Sequence, residues 1–250
     1  MSMRRSRSLF PTKCNTGAHA GMLAAAAVLG CSVSVATAQT GSVFVDARSN
    51  IFGYGISTPQ PGGGGGGLAA VTIALSPGTG RVVTFNNTGS AWWTFNVPGS
   101  NGPDGGNLVS TTNIAPLGPI SGFSAVRSGH LLGLFLDADD PTGQAAPANF
   151  AYAGPEGLTL TSYSPLLRQI FFVGDGLTGT GSGSTQQFFV PDSATRLVLG
   201  IADALGFAGP AGYYDDNTNG FNVSYSVIPS PSAAALLGLG GLLAARRRRR

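Results

Sequence analysis

The residues of this chain best equipped for chemistry carry oxygen and are crowded into one loop. Asp203, Asp215, Asp216, Asn217 and Asn219 lie between two β-prone stretches. Arg196-Leu-Val-Leu-Gly200 is largely apolar, and Phe221-Asn-Val-Ser-Tyr-Ser-Val227 alternates apolar and polar residues as a half-buried strand does. Carboxylates, amides and backbone carbonyls are the ligands of hard cations, and Ca²⁺ gathers about six to eight of them. Asp, Asn and Gly are also ordinary turn formers, so composition leaves a cation site and a plain acidic turn both open. The run Asp215 to Gly220 has the opening spacing of an EF-hand loop. Its twelfth position is Ser226 rather than Glu, and its flanks are strands, which excludes that motif. Asp137, Asp139 and Asp140 make a further acidic loop, which either adds a second ion site or is a solvated turn.

Other chemistries find less support. His130 is the only histidine in residues 40–228, so imidazole partners for zinc are lacking. No Gly-x-Ser-x-Gly elbow on a strand-to-helix turn accompanies it, so a serine hydrolase triad is unsupported. Glycoside hydrolysis needs two carboxyl groups about 5 to 10 Å apart across a cleft, and spacing along the chain selects no such pair. Trp92 and Trp93 are neighbours, so on a strand one faces in and one faces out. Trp93 is the candidate for stacking on a sugar, although core packing explains such a pair equally well. The run Gly62 to Gly67 lacks the Gly-Lys-Ser/Thr ending of a phosphate loop and reads as a flexible connection.

These residues must be positioned by strands. Short β-prone runs recur at Ser42–Asp46, Leu68–Leu75, Arg81–Phe85, Ala91–Val97, Gly129–Leu136, Gln169–Val173 and Gln187–Val190, with Ile51–Tyr54 a further candidate. Asn101–Gly106 and Gly174–Ser184 read as loops. No long segment between residues 40 and 228 carries the helical period. The expected fold class is therefore all-β, a single β-sandwich, with the jelly roll as its form. At roughly 190 residues, this span can bury about 70% of its unfolded surface without disulfides.

Charge divides the chain into parts. All eleven acids fall in residues 40–228, against five arginines there: Arg48, Arg81, Arg127, Arg168 and Arg196. The remaining basic residues lie near the two ends. The formal charge of +3 thus hides an acidic, lysine-free domain, which excludes a nucleic-acid-binding face. Residues 1–38 have the form of a secretory signal peptide. Basic residues open it, an apolar run follows from about Met22 to Val35, and Val35-Ala-Thr-Ala38 is the expected cleavage site. Both cysteines, Cys14 and Cys31, lie in it, so the domain at 39–228 has no thiol chemistry. Residues 229–250 pair a short apolar run with the terminal arginines Arg246 to Arg250, and those arginines are expected on the cytoplasmic side.

Pro229-Ser-Pro231, the apolar run and the arginine cluster beginning at Arg246 together resemble the PEP-CTERM sorting signals of Gram-negative bacteria. Ser230 stands where that family has Glu. The resemblance implies recognition by an exosortase, a transient membrane attachment through the tail, and delivery to the cell surface or the exopolysaccharide matrix.

The segment from about Arg127 to Val227 is similar to the calcium-dependent galactose-binding bacterial lectins. The similarity is carried by Gly129-His-Leu-Leu-Gly-Leu-Phe135, by Phe189-Val-Pro191 with Thr195 to Asp203, and by Tyr214-Asp-Asp-Asn-Thr-Asn-Gly-Phe221. It implies a jelly roll in which Asp203, Asp216 and Asn217 hold Ca²⁺, with a loop carbonyl near Ala211 to Tyr213, and in which the sugar sits on the ion. Gly102-Pro-Asp104-Gly-Gly106 aligns with that family's sugar-contacting His-Pro-Asp-Gln-Gly, which makes Asp104 a ligand-binding candidate. His and Gln are replaced by glycine here, so galactose specificity is not implied. The expected function is a non-catalytic, exported, Ca²⁺-dependent carbohydrate-binding module. Its competitors are a structural surface protein whose ion only stiffens the loop, and a carbohydrate-active hydrolase.

Overall fold

The computed structural model describes residues 38–53, 65–93, 101–106, 111–152 and 158–228. The leader and the sorting motif, with Pro229, Pro231 and Arg246, lie outside them. In chain order the strands are β1 (Gln39–Asp46), β2 (Ser49–Asn50), β3 (Leu68–Ala69), β4 (Val71–Ala74), β5 (Val82–Trp92) and β6 (Asp104–Gly106). Then come β7 (Thr112–Ile114), β8 (Phe123–Ala125), β9 (Ser128–His130), β10 (Leu132–Leu136), β11 (Ser162–Tyr163) and β12 (Ile170–Phe172). The last six are β13 (Leu177–Gly179), β14 (Ser182–Thr185), β15 (Gln187–Phe189), β16 (Arg196–Gly200), β17 (Ala208–Gly209) and β18 (Thr218–Ile228). Among the described residues helical structure is limited to three 3₁₀ turns, and no helix is long and apolar enough to cross a membrane. The fold is all-β.

Two sheets carry the core. The larger has the order β1-β18-β5-β15-β11, and the smaller β12-β10-β16-β4. The spine of the larger sheet is the antiparallel pairing of β18 with β5, which runs from Thr218 opposite Trp92 to Ile228 opposite Val82. Alternation along these strands sends Val83, Phe85, Phe221, Val223 and Val227 inward. From the smaller sheet Ile73, Phe135, Phe171, Leu197 and Leu199 meet them in one buried cluster. The opposite face of the larger sheet is hydroxyl- and amide-rich. Ser42 opposes Ser224, which opposes Asn86, and Phe44 opposes Asn222, which opposes Thr88.

The smaller sheet is buried on both faces, which is why Leu132–Leu136 is apolar at every position but Gly133. Leu132, Leu134, Leu136 and Val198 turn away from the first cluster. They pack on Ile51, Phe52, Ile114, Ile120 and Phe123 in a second cluster. Part of that outer layer is a three-stranded sheet, β17-β7-β8.

Several local expectations change. Ile51–Gly53 is a 3₁₀ turn rather than a strand, since its Ile51 and Phe52 side chains are both needed in one core. Leu68–Leu75 is broken at Ala70 into β3 and β4. Gly174–Ser184, read as a loop, holds the β13–β14 hairpin. Its Gly181 and Gly183 have φ of 69° and 112°, which glycine adopts without strain.

With so little regular structure in the connections, buried polar side chains fasten them. Arg81 is 4% exposed. Its guanidinium donates to the carbonyls of Ser76 (2.7 Å), Pro191 (2.9 Å), Asp192 (3.1 Å) and Ala194 (2.8 Å), and so ties the turn before β5 to the turn before β16. Replacing Arg81 by Leu removes all four bonds and leaves the buried carbonyl of Ala194 without its donor. Urea denaturation should show a loss of about 3 kcal/mol for Arg81→Leu, the range for a charged buried donor.

Candidate functional site

The acidic loop begins where β16 ends. Asp203 follows Gly200 by three residues and is 3% exposed. Ala204 bridges to Ala211, so the chain between them forms a closed excursion containing the 3₁₀ turn Leu205–Phe207. A second 3₁₀ turn, Tyr214–Asp216, then delivers Asp216 and Asn217 to the base of β18. Tyr213, just before it, has φ 67° and ψ 25°, a left-handed conformation unusual for a bulky side chain. That strained residue sets the direction of the turn after it.

Tyr214 is the anchor. Its side chain is fully buried, and its hydroxyl donates to the carbonyl of Ile201 (3.1 Å) and accepts the backbone N–H of Asp203 (3.1 Å). The second turn is thereby fixed to the end of β16. Asn217, 1% exposed, completes the closure. Its Nδ2 donates to Oδ2 of Asp203 (2.8 Å) and to the carbonyl of Ala47 (3.1 Å). Oδ1 of Asp203 accepts the N–H of Ala204 (2.7 Å).

Two oxygens in this cluster are buried and have no hydrogen-bond partner: Oδ1 of Asn217 and Oδ1 of Asp216. Burial of a polar atom without a partner costs on the order of 1 to 3 kcal/mol, so such pairs mark a place for a proton, a water or an ion. The electrostatics agree. Burial pushes the carboxyl of Asp203 up to about 7, opposed by the bonds from Asn217 and Ala204 and reinforced by the negative charge of Asp216. Asp216 is itself raised, through burial first and then the charge of Asp215.

Asp203 and Asn217, fourteen residues apart along the chain, are thus brought into direct contact, and the charge of Asp216 acts on Asp203. Among the described residues no group of three Asp, Glu, His or Cys side chains collects, so the site offers two carboxylates and one amide. These are hard oxygen donors, two of them with unused buried oxygens, and they fit a Ca²⁺ ion completed by carbonyls or water.

Asp215 turns away from them. Its Oδ1 accepts the N–H of Gly67 (3.2 Å), so the end of the glycine run packs against this loop. A Cβ on Gly65 would lie 1.9 Å from Oδ2 of Asp215, and Gly65 has φ 94°. Only glycine permits that approach. The sequence showed the run without showing what it packs against.

The other candidates are placed elsewhere. Trp93 is the inward member of its pair. It is 5% exposed and meets Phe207 edge-on at 6.1 Å, whereas Trp92 faces outward. Strand alternation fixes that one of the two is buried, and only the register against β18 says which. Asp104 is 1% exposed; its Oδ1 accepts the N–H of Asp175 (2.8 Å) and so holds a turn, while its buried Oδ2 has no hydrogen-bond partner. Asp137 and Asp140 accept backbone N–H groups of their own loop, and the carbonyls of Asp137 and Asp139 bind Arg196 (2.8 and 3.1 Å). The acidic loop after β10 is a self-capped turn, separate from the Asp203 cluster.

Sequence reasoning missed Tyr214 as the anchor and the groove beside Phe150 and Tyr152. In that groove Asn113, Ser124, Phe150 and Tyr152 line a space of about 540 Å³. A lone aromatic pair between loops gave no periodic signal. Comparison with protein-family models, curated proteins and solved structures finds no match for this chain.

A raised carboxyl pKa has a definite linkage. Between about pH 4 and about pH 7 the folded state holds a proton at Asp203 that the unfolded chain has released. Stability without metal therefore falls as pH rises through that window, by on the order of 1 kcal/mol per pH unit at its steepest. Urea denaturation in EDTA between pH 4 and 8 should show this decline, and Asp203→Asn should flatten it. Tyr214→Phe removes the hydroxyl that serves two buried backbone groups and should cost about 2 kcal/mol in the same assay.

Proposed function

We propose that this chain is an exported, non-catalytic binding module of the cell surface or extracellular matrix, with a jelly-roll-type sandwich in which the loop between β16 and β18 is clamped by Ca²⁺. The ligand class is an extracellular glycan or exopolysaccharide. The single observation that supports the ion is the pair of buried, unpartnered oxygens on Asp216 and Asn217, beside an Asp203 that Asn217 bonds directly. Asp203 and Asp216 would bind through carboxylate oxygens and Asn217 through its amide Oδ1. The ion would supply positive charge where burial otherwise favours a proton. The secretory form of residues 1–38 supports export. The PEP-CTERM-like tail at 229–250 supports handling by an exosortase and transient attachment to the membrane.

The burial of Asp203 and Asn217 favours a clamp over a docking point, because an ion held by residues 3% and 1% exposed has little open coordination for a sugar. This supports the reading in which Ca²⁺ stiffens the loop and the glycan binds elsewhere. For a hydrolase the acids are badly placed. Asp104 is 1% exposed with its Oδ1 held by the N–H of Asp175, and Asp175 accepts from Leu177 (2.8 Å) and Gly181 (2.6 Å).

Extracellular calcium modules bind in the range of roughly 10⁻⁴ to 10⁻³ M. At pH 7.5, 10 mM Ca²⁺ should therefore raise the melting temperature by several degrees, for a stabilisation of about 1.5 to 3 kcal/mol. Asp216→Asn and Asn217→Ala should each remove most of that shift. At pH 5, where Asp203 keeps its proton, the shift should shrink. A melting curve indifferent to Ca²⁺ at pH 7.5 would refute the ion.

A further inference from the structure

If the ion is enclosed, the glycan needs another surface, and one groove has the chemistry for it. Asn113 on β7 and Ser124 on β8 are directly opposed across an antiparallel pair, and both are exposed on its outer face. Phe150 and Tyr152 line the same groove, half-buried. None of the residues lining it carries a charge.

The polar side chains there are oriented before any ligand arrives. Asn149 Nδ2 donates to Oγ of Ser124 (3.2 Å), and that hydroxyl donates its proton to Oδ1 of Asn113 (3.0 Å). With its Oδ1 taken, the exposed Asn113 keeps its NH₂ as a donor. The aromatic side is equally fixed. Phe150 packs on Tyr152 (centroids 5.0 Å) and on Tyr163 (5.7 Å), and Tyr163 stacks on core Phe188 at 4.6 Å and 8°. The Tyr152 hydroxyl accepts the N–H of Phe172 (2.8 Å). A rigid aromatic surface beside an oriented amide suits a pyranose ring, which presents axial C–H groups to the one and hydroxyls to the other. The groove is shallow and open to solvent, with a volume of about 540 Å³.

We propose that this groove binds a neutral glycan, with Phe150 as the stacking surface and the Asn113 amide donating to a sugar hydroxyl. The assignment rests on the reading of the protein as a glycan-binding module, but it is independent of the ion. A charged polymer is disfavoured because the groove has no charge to meet it.

The test is affinity electrophoresis of the exported protein through native gels containing galactomannan, xyloglucan or dextran, with alginate as the anionic control. At least one neutral polysaccharide should retard the protein, in EDTA as well as in Ca²⁺. Phe150→Ala should weaken that retardation about tenfold or more, and Phe150→Trp should preserve it. Asn113→Ala, at an exposed position that leaves the core intact, should weaken it several-fold, as loss of one hydrogen bond does. Retardation that survives both alanine variants would overturn the site while leaving the glycan reading intact. Retardation by no neutral polysaccharide, or by alginate alone, would overturn both. Retardation lost in EDTA would move the sugar to the calcium cluster and overturn this assignment. So would a concentration-dependent dimer abolished by Phe150→Ala, which would give the groove to a second copy.

Discussion

The fold turns on a carboxylate that has nowhere to be solvated. Asp203, three residues past the end of β16, is only 3% exposed. A charge there is tolerable only if every neighbouring donor is recruited. Ala204 N–H and Asn217 Nδ2 donate to it, the Tyr214 hydroxyl accepts the backbone N–H of the same residue, and each of these bonds fixes a piece of chain. The excursion from Ala204 to Ala211 closes, the turn Tyr214–Asp216 seats, and β18 starts in register with β5 at Thr218. The raised carboxyl of Asp203 and the unpaired oxygens of Asp216 and Asn217 are consequences of the same enclosure.

The same economy recurs through the molecule. Long irregular connections cannot satisfy their own backbone groups, so buried polar side chains are spent on them. Gln186 donates to the carbonyl of Leu160 and the hydroxyl of Tyr163, Gln169 donates to Ala148, and Oγ of Ser121 accepts the N–H of Ile170. Asn87 holds the carbonyl of Gly174 while Asp104 holds the next N–H in the chain. Several residues with the look of site candidates are structural for this reason. Asp104, whose Oδ1 fastens the turn at Asp175, is an example.

Much of the fold was legible. Arg196–Gly200 forms a strand over the residues read for it, and the alternation in Phe221–Val227 marks the centre of β18. These runs are visible because burial on one or both faces imposes a period on the residues themselves. The short strands of the outer layer escaped, since three residues such as Thr112–Ile114 are too few to show a period. The candidate site was half legible. The acids stood out by type, while their anchor Tyr214 looked like any aromatic residue in a loop.

By itself the sequence determined the class of fold, the acidic character of the domain and the crowding of oxygen donors between two strands. Those properties reside in residue type and spacing, which any compact state must respect. Tertiary structure alone decided which donors meet. It placed Asp203 against Asn217, turned Asp215 toward Gly67, buried Trp93 rather than Trp92, and set Phe150 beside Asn113. Such choices depend on the register of strands and on which layer covers which face, and no local pattern along the chain encodes the distance between residues so far apart in it.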